Sequence, residues 1–216
     1  RRRVPIIMEF AGNREIVVTV VMPVRNEGNF IGKVLEDLRT QDFPHEQMEL
    51  IVVDGDSDDN TVEIASTFKG TFPNFRILEN PGKPSSRARN LGAKAAAGKY
   101  IVFIDGHCHL PSSKLISDIV ALFEKSGADA LCRPQPLTLS PQTLFQRAVS
   151  LARASGLGHA LDSTIYTNRE RFVKAASSAA SYRREVFNRV GYYDESFDAC
   201  EDVEFNTRVD KAGLKS

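Results

Sequence analysis

An α/β fold, with a Rossmann-like, mostly parallel central sheet and helices on both faces, is what this sequence predicts. Three observations carry it. Short apolar runs rich in β-branched residues occupy residues 16–22, 50–53, 75–78 and 100–104, and their lack of alternation marks strands buried on both faces. Stretches with apolar residues at helical spacing lie between them, so the order is strand, helix, strand. Each run also ends abruptly in polar, acid-containing chain, the position where open α/β sheets bind ligands.

The elements follow in order. Residues 1–14 contain Pro5 and Gly12 and are expected to be a lead-in segment. The first strand is predicted to stop at Pro23, with Asn26 capping a helix on which Phe30, Ile31, Val34, Leu35 and Leu38 recur at helical spacing. The second strand runs into Asp54-Gly55-Asp56-Ser57-Asp58-Asp59-Asn60-Thr61, a set suited to the start of a helix reaching Phe68. A helix over 84–97 carries Arg87, Arg89 and Asn90, with Ala88, Leu91, Gly92 and Ala95 on its close-packing side, and Gly98 ends it. The strand at 100–104 leads into Asp105-Gly106-His107. A helix beginning at Pro111-Ser112-Ser113 and a short strand at 128–132 complete this half.

After Pro134 the rhythm changes. Residues 141–154 read as a helix, and residues 155–171 as a polar, mobile segment. The small-residue run at 175–181 is a strand candidate, residues 184–190 a short helix, and Glu201-Asp202 opens a last helix with Phe205, Val209 and Ala212 on one face. The expected organisation is one domain in two halves, over 15–133 and 134–216.

Composition narrows the partners. Basic and acidic residues number 28 each, so the net charge points to neither nucleic acid nor an anionic membrane. The three cysteines are odd in number and far apart, which argues for reduced thiols rather than a disulfide framework. No apolar run approaches the roughly 20 residues of a membrane span. The first residue is Arg1, not methionine, so a piece of a longer protein is expected, truncated at its C-terminus. That leaves membrane association through segments outside the chain open. The expected location is cytoplasmic, with the inner face of the membrane as the alternative.

The chemistry-bearing residues cluster at strand ends. Asp105 and His107, two apart on an extended backbone, point the same way; a carboxylate and an imidazole so placed can hold a divalent metal. Gly106 permits close approach of a ligand. The plain alternative is a strand end followed by a turn. His107-Cys108-His109 does not make a zinc site, because adjacent extended residues point apart and tetrahedral spacing is absent.

Taken together in order, six pieces resemble the family 2 inverting glycosyltransferases of GT-A fold. They are Pro23-Val24-Arg25-Asn26-Glu27, Val52-Val53-Asp54-Gly55-Asp56-Ser57-Asp58-Asp59-Asn60-Thr61, Arg87-Ala88-Arg89-Asn90-Leu91-Gly92, Phe103-Ile104-Asp105-Gly106-His107, Val190-Gly191-Tyr192-Tyr193-Asp194-Glu195-Ser196-Phe197 and Glu201-Asp202-Val203-Glu204-Phe205. The set is similar to exopolysaccharide-assembly enzymes of bacteria.

The resemblance implies transfer of a sugar from a nucleotide diphosphate sugar, UDP favoured, to a saccharide or lipid-linked acceptor by metal-assisted single displacement with inversion. It implies nucleotide contacts from Pro23, Arg25, Glu27, Asp54, Asp56, Arg87 and Asp105, metal contacts from Asp105 and His107, and catalytic roles for Asp202 as base and Glu201 beside it. The family's usual metal motif is Asp-x-Asp. Histidine in the third place shifts the expected preference from Mg²⁺ towards Mn²⁺, unless His107 contacts the diphosphate and Asp105 alone holds the ion. Relatives often carry two adjacent acids where Asp54-Gly55 stands, which loosens the reading of the base. A polyprenyl-phosphate sugar synthase and a catalytically idle nucleotide-sugar scaffold are the alternatives. Tyr182 and Tyr192 either stack on sugars or pack.

Overall fold

The computed structural model describes residues 15–81, 84–134, 143–155, 158, 169–197 and 199–216. Six strands form one sheet in the order β3-β2-β1-β4-β6-β5. They are β1 (Val18–Val24), β2 (Met48–Asp54), β3 (Asn74–Glu79), β4 (Tyr100–Phe103), β5 (Ala130–Cys132) and β6 (Ala179–Arg183). β1 runs parallel to β2 and β4, and β2 parallel to β3, whereas β6 lies antiparallel between β4 and β5.

Helices cover both faces, as the unalternated strands require. On one face Val18, Val20 and Met22 pack with Ile31, Val34, Leu35 and Leu38 of α1 (Ile31–Arg39), Ala65 of α2 (Thr61–Ser66), and Ile116, Ile119 and Phe123 of α4 (Leu115–Ser126). On the other, Val21, Ile51, Val53, Ile101 and Phe103 meet Ala88 and Ala93 of α3 (Ser85–Ala95), Val186 and Phe187 of α6 (Glu185–Val190), and Phe205 and Val209 of α7 (Glu201–Lys211). The remaining helix, α5 (Leu144–Ala154), starts with a capping box between Thr143 and Gln146.

The chain passes from β1 outward through β2 to β3, then returns to place β4 on the other side of β1. The carboxyl ends of β1 and β4 therefore diverge at a topological switch point, where a crevice opens. Close approach of α3 to the sheet sets its floor. A Cβ at Gly92 would lie 2.2 Å from Val21 Cγ1, so only glycine lets the helix seat there.

Several sequence expectations shift. Pro23 lies inside β1 rather than ending it. β1 pairs with β2 through Val24, but its ladder with β4 stops at Val21–Phe103, so the proline needs no donor on the side β4 has left. Asn26 is not a helix cap: α1 begins at Ile31, and Asn26, at φ 55°, ties two loops together instead. The 175–181 run splits into a 3₁₀ turn at Ala175–Ser177 and the start of β6. Ala212 is exposed, beyond the α7 face built by Phe205 and Val209. Tyr182 is fully buried, its hydroxyl 2.7 Å from the Ala179 carbonyl and from Asn206 Oδ1, so it packs rather than stacks on a ligand. Residues 1–14 and most of the expected mobile segment at 155–171 lie outside the described residues.

Gly92→Ala is expected to destabilise the fold by about 1–3 kcal/mol, the usual cost of overpacking a tight contact. Urea unfolding with unchanged slope checks it; a variant as stable as the parent contradicts the close seating of α3 on β1.

Candidate active site

Two loops close one side of the switch-point crevice, and side chains stitch them together. The Asn26 amide donates to Ser57 Oγ at 2.9 Å and Asn26 Oδ1 accepts from the Asp58 amide at 2.8 Å. The Glu27 amide donates to Thr61 Oγ1 at 2.8 Å, and the Gly28 amide to Asp59 Oδ2 at 2.9 Å. Hydrogen bonding by the Thr61 hydroxyl holds the Asp59 carboxyl below its ordinary pKa, despite some desolvation. A Cβ at Gly28 would meet Asn60 Oδ1 at 2.0 Å, so a larger residue there would push the Asn60 side chain aside.

Within this frame Asp54 is buried, accepting from the Ser57 hydroxyl at 2.6 Å and amide at 3.1 Å. Its orientation is set before any ligand arrives. Arg25 and Asp56 stand exposed, Asp56 at φ 61°, and Pro23 is half-buried.

Across the crevice, Asp105 follows β4. Its carboxylate is 43% exposed and accepts from Arg89 Nη2 at 3.0 Å. His107 is exposed, and its Nδ1 lies 2.8 Å from Glu27 Oε1, so the two loops meet over Gly106. A Cβ at Gly106 would sit 3.0 Å from Glu27 Cγ. The Glu27 contact orients the imidazole, as outer carboxylates do for metal-bound histidines. It leaves Nε2 as the nitrogen available to an ion.

Arg89 is the residue that sequence reasoning passed over in favour of Arg87. At about 100° per residue on α3, Arg89 falls in the middle of the arc bearing Ala88, Gly92 and Ala93, while Arg87 falls on the far side. Its guanidinium lies 5.4 Å over the Phe103 ring and 3.5 Å from Glu201 Oε1. Asp105 and Glu201, 96 positions apart in sequence, thus flank one largely buried cation. Burial opposes its charge, but Asp105, Tyr193 and Glu201 more than offset this and raise its pKa. Arg87 is half-buried and forms no ion pair among the described residues.

Arg133, just past β5, was also unforeseen. It is half-buried, donates from Nη2 to the Phe103 carbonyl at 3.1 Å, and feels Asp105 and Cys108 electrostatically. Burial lowers its pKa. No pattern in the sequence marks it, because its position depends on β5 reaching the sheet edge beyond β6.

The α7 acids divide. Glu201 is 12% exposed and faces Arg89, whereas Asp202 is exposed, accepting only from the Val203 amide at 2.9 Å among the described residues. Cys200, at φ 62°, precedes the helix without a side-chain cap. Asn90 holds the neighbouring loop: its Nδ2 donates to the Tyr193 carbonyl at 2.9 Å and to Glu195 Oε1 at 2.8 Å, and its Oδ1 accepts from the Tyr193 amide at 2.9 Å. Tyr193 is buried beneath, which pushes its hydroxyl well above the usual phenol range. Tyr192 lies tilted against Phe187, ring centroids 5.7 Å apart, under Lys94 Nζ at 4.9 Å.

A strand-end acid at a switch point thus faces the first turn of α7 across Arg89. The sequence profile of glycosyl transferase family 2 matches residues 19–191, and the chain belongs to that family. It is 33% identical over 205 residues to the succinoglycan biosynthesis protein ExoA of Rhizobium meliloti, covering 91% of this chain and 58% of that protein. Staphylococcus aureus TarS residues 1–349 in complex with UDP-GlcNAc superpose with a TM-score of 0.68 at 20% identity, over 89% of this chain and 52% of the other. The mannosyltransferase PcManGT of Pyrobaculum calidifontis, in complex with GDP-Man and Mn²⁺, gives 0.64 at 21%, over 90% and 51%. The chain spans 58% of the length of ExoA and about half of each of these two solved chains. No helix among the described residues is long and apolar enough to cross a membrane.

Replacing Arg89 with methionine leaves two carboxylates without their shared partner. A loss of about 2–4 kcal/mol is expected, below the full penalty for a broken buried pair because Asp105 is partly solvated. Loss of less than 0.5 kcal/mol in denaturant unfolding contradicts the bridge.

Proposed function

We propose that this chain binds a nucleotide diphosphate sugar, UDP-linked by preference, and transfers the sugar with inversion to a saccharide or lipid-linked acceptor. The setting proposed is cell-surface polysaccharide assembly at the cytoplasmic face of a membrane. The observation that supports the reading is the Arg89 bridge, which links Asp105 after β4 to Glu201 in the first turn of α7. The names of the relatives, concerned with succinoglycan and with UDP-GlcNAc, agree with it.

Each residue has an assigned task. Residues 15–133 form the donor half: Pro23, Arg25, Glu27, Asp54 and Asp56 shape the nucleotide cleft, and Arg87 contacts the diphosphate through its guanidinium. Residues 134–216 form the acceptor half. There Asp202, exposed at a helix N-terminus, takes the proton of the acceptor hydroxyl. That oxygen bonds to the anomeric carbon from the face opposite the phosphate, the carbon–phosphate oxygen bond breaks, and the nucleoside diphosphate leaves. Glu201, held by Arg89, positions Asp202.

The donor set fits a divalent ion shared with the diphosphate. Asp105 offers a half-exposed carboxylate and His107 a nitrogen oriented by Glu27. Among the described residues no group of three or more such side chains is gathered. A divalent ion held by Asp105 and His107 would neutralise charge on the departing diphosphate. An imidazole donor favours Mn²⁺ over Mg²⁺.

Calorimetric titration with UDP is expected to give tighter binding with Mn²⁺ than with Mg²⁺; equal affinities remove His107 from the metal. Asp202→Asn is expected to keep UDP affinity while donor hydrolysis or transfer falls about 10²–10⁴-fold. Unchanged turnover in that variant would reassign the base, and failure of UDP, GDP and TDP all to bind would leave only a scaffold.

A further inference from the structure

Among the described residues, α5 contributes no side chain to the two cores. Every described side chain of α5 from Leu144 to Arg153 is exposed except Ser150, which is half-buried. Leu144 is 88% exposed, Phe145 77%, Leu151 65% and Val149 41%. These are high values for large apolar groups on one short helix.

Their arrangement is regular. At about 100° per residue, Leu151, Leu144, Ala148, Ala152, Phe145 and Val149 fill a continuous arc of about 160°. Arg147 borders that arc on the Leu151 side and Arg153 on the Val149 side, while Gln146 and Ser150 occupy the back. Residues 143–155 contain no aspartate or glutamate. The capping box fixes where the helix starts, so this face does not depend on packing for its definition.

We infer that α5 is an in-plane membrane-docking helix that lays its Leu144–Phe145–Leu151 face into the interface of an anionic bilayer. An apolar arc with cations along both margins matches the depth profile of a lipid interface: side chains enter the acyl boundary while guanidinium groups reach back to phosphates. The absence of acids gives the face one sign of charge, complementary to anionic headgroups. Anchoring by this helix needs no spanning segment, and it goes beyond the transfer reaction, since it stands whether or not the donor reading does.

Vesicle flotation tests it with the intact chain, using phosphatidylcholine alone and phosphatidylcholine mixed with phosphatidylglycerol. Binding is expected to the mixed vesicles and to weaken with salt. Leu144→Ser combined with Leu151→Ser, and separately Arg147→Glu combined with Arg153→Glu, are each expected to reduce it by about ten-fold or more. Both pairs are exposed, so circular dichroism and UDP affinity are expected to stay at parental values, which separates lost docking from lost folding and from the donor site. No binding to anionic vesicles overturns the inference, as does binding that both variants retain. Self-association that the leucine variant abolishes, without lipid binding, assigns the face to a second copy of the chain instead.

Discussion

A single buried guanidinium holds the two halves of the crevice in register. Arg89 rises from α3 between the end of β4 and the start of α7, and a charge so enclosed is tolerated only with acids close on both sides. Asp105 and Glu201 supply them. The same contacts place a partly solvated carboxylate on the β4 side and bring exposed Asp202 to the α7 side. Much of the site's geometry depends on α3 being seated deeply enough for Arg89 to reach, which Gly92 allows against Val21.

Around that centre the supporting bonds are local and polar. The loops after β1 and β2 are joined by Asn26, Ser57, Asp59 and Thr61, so acids that look like a nucleotide-binding cluster in sequence serve partly to close the frame. Asp54 is aimed by Ser57 rather than left to find a ligand. Asn90 performs the corresponding service for the loop before α7 by exchanging hydrogen bonds with the Tyr193 backbone. Rigid framing of this kind reduces what a ligand must order on binding.

The parallel part of the sheet was legible because buried strands at β1, β2 and β4 carry unbroken apolar runs, and the helix-spaced stretches between them follow. The antiparallel insertion of β6 between β4 and β5 was not, since Ala179, Ala180 and Ser181 carry little hydrophobic signal and their pairing is set by long-range contacts. Asp105, Glu201 and Asp202 stood out as acids at element ends. Arg89 was within reach of the helical period on α3, which sets it on the face that carries Ala88 and Gly92. Arg133 and the Glu27–His107 contact were out of reach: each joins segments whose proximity exists only once the sheet order is known.

The most direct test of the shared cavity is a crystal structure of the chain with UDP and Mn²⁺. The account predicts the diphosphate beside Asp105, with the carboxylates of Glu201 and Asp202 bounding the same cavity on its far wall. Nucleotide ordered elsewhere on the molecule, or α7 turned away so that Arg89 no longer spans Asp105 and Glu201, would contradict it.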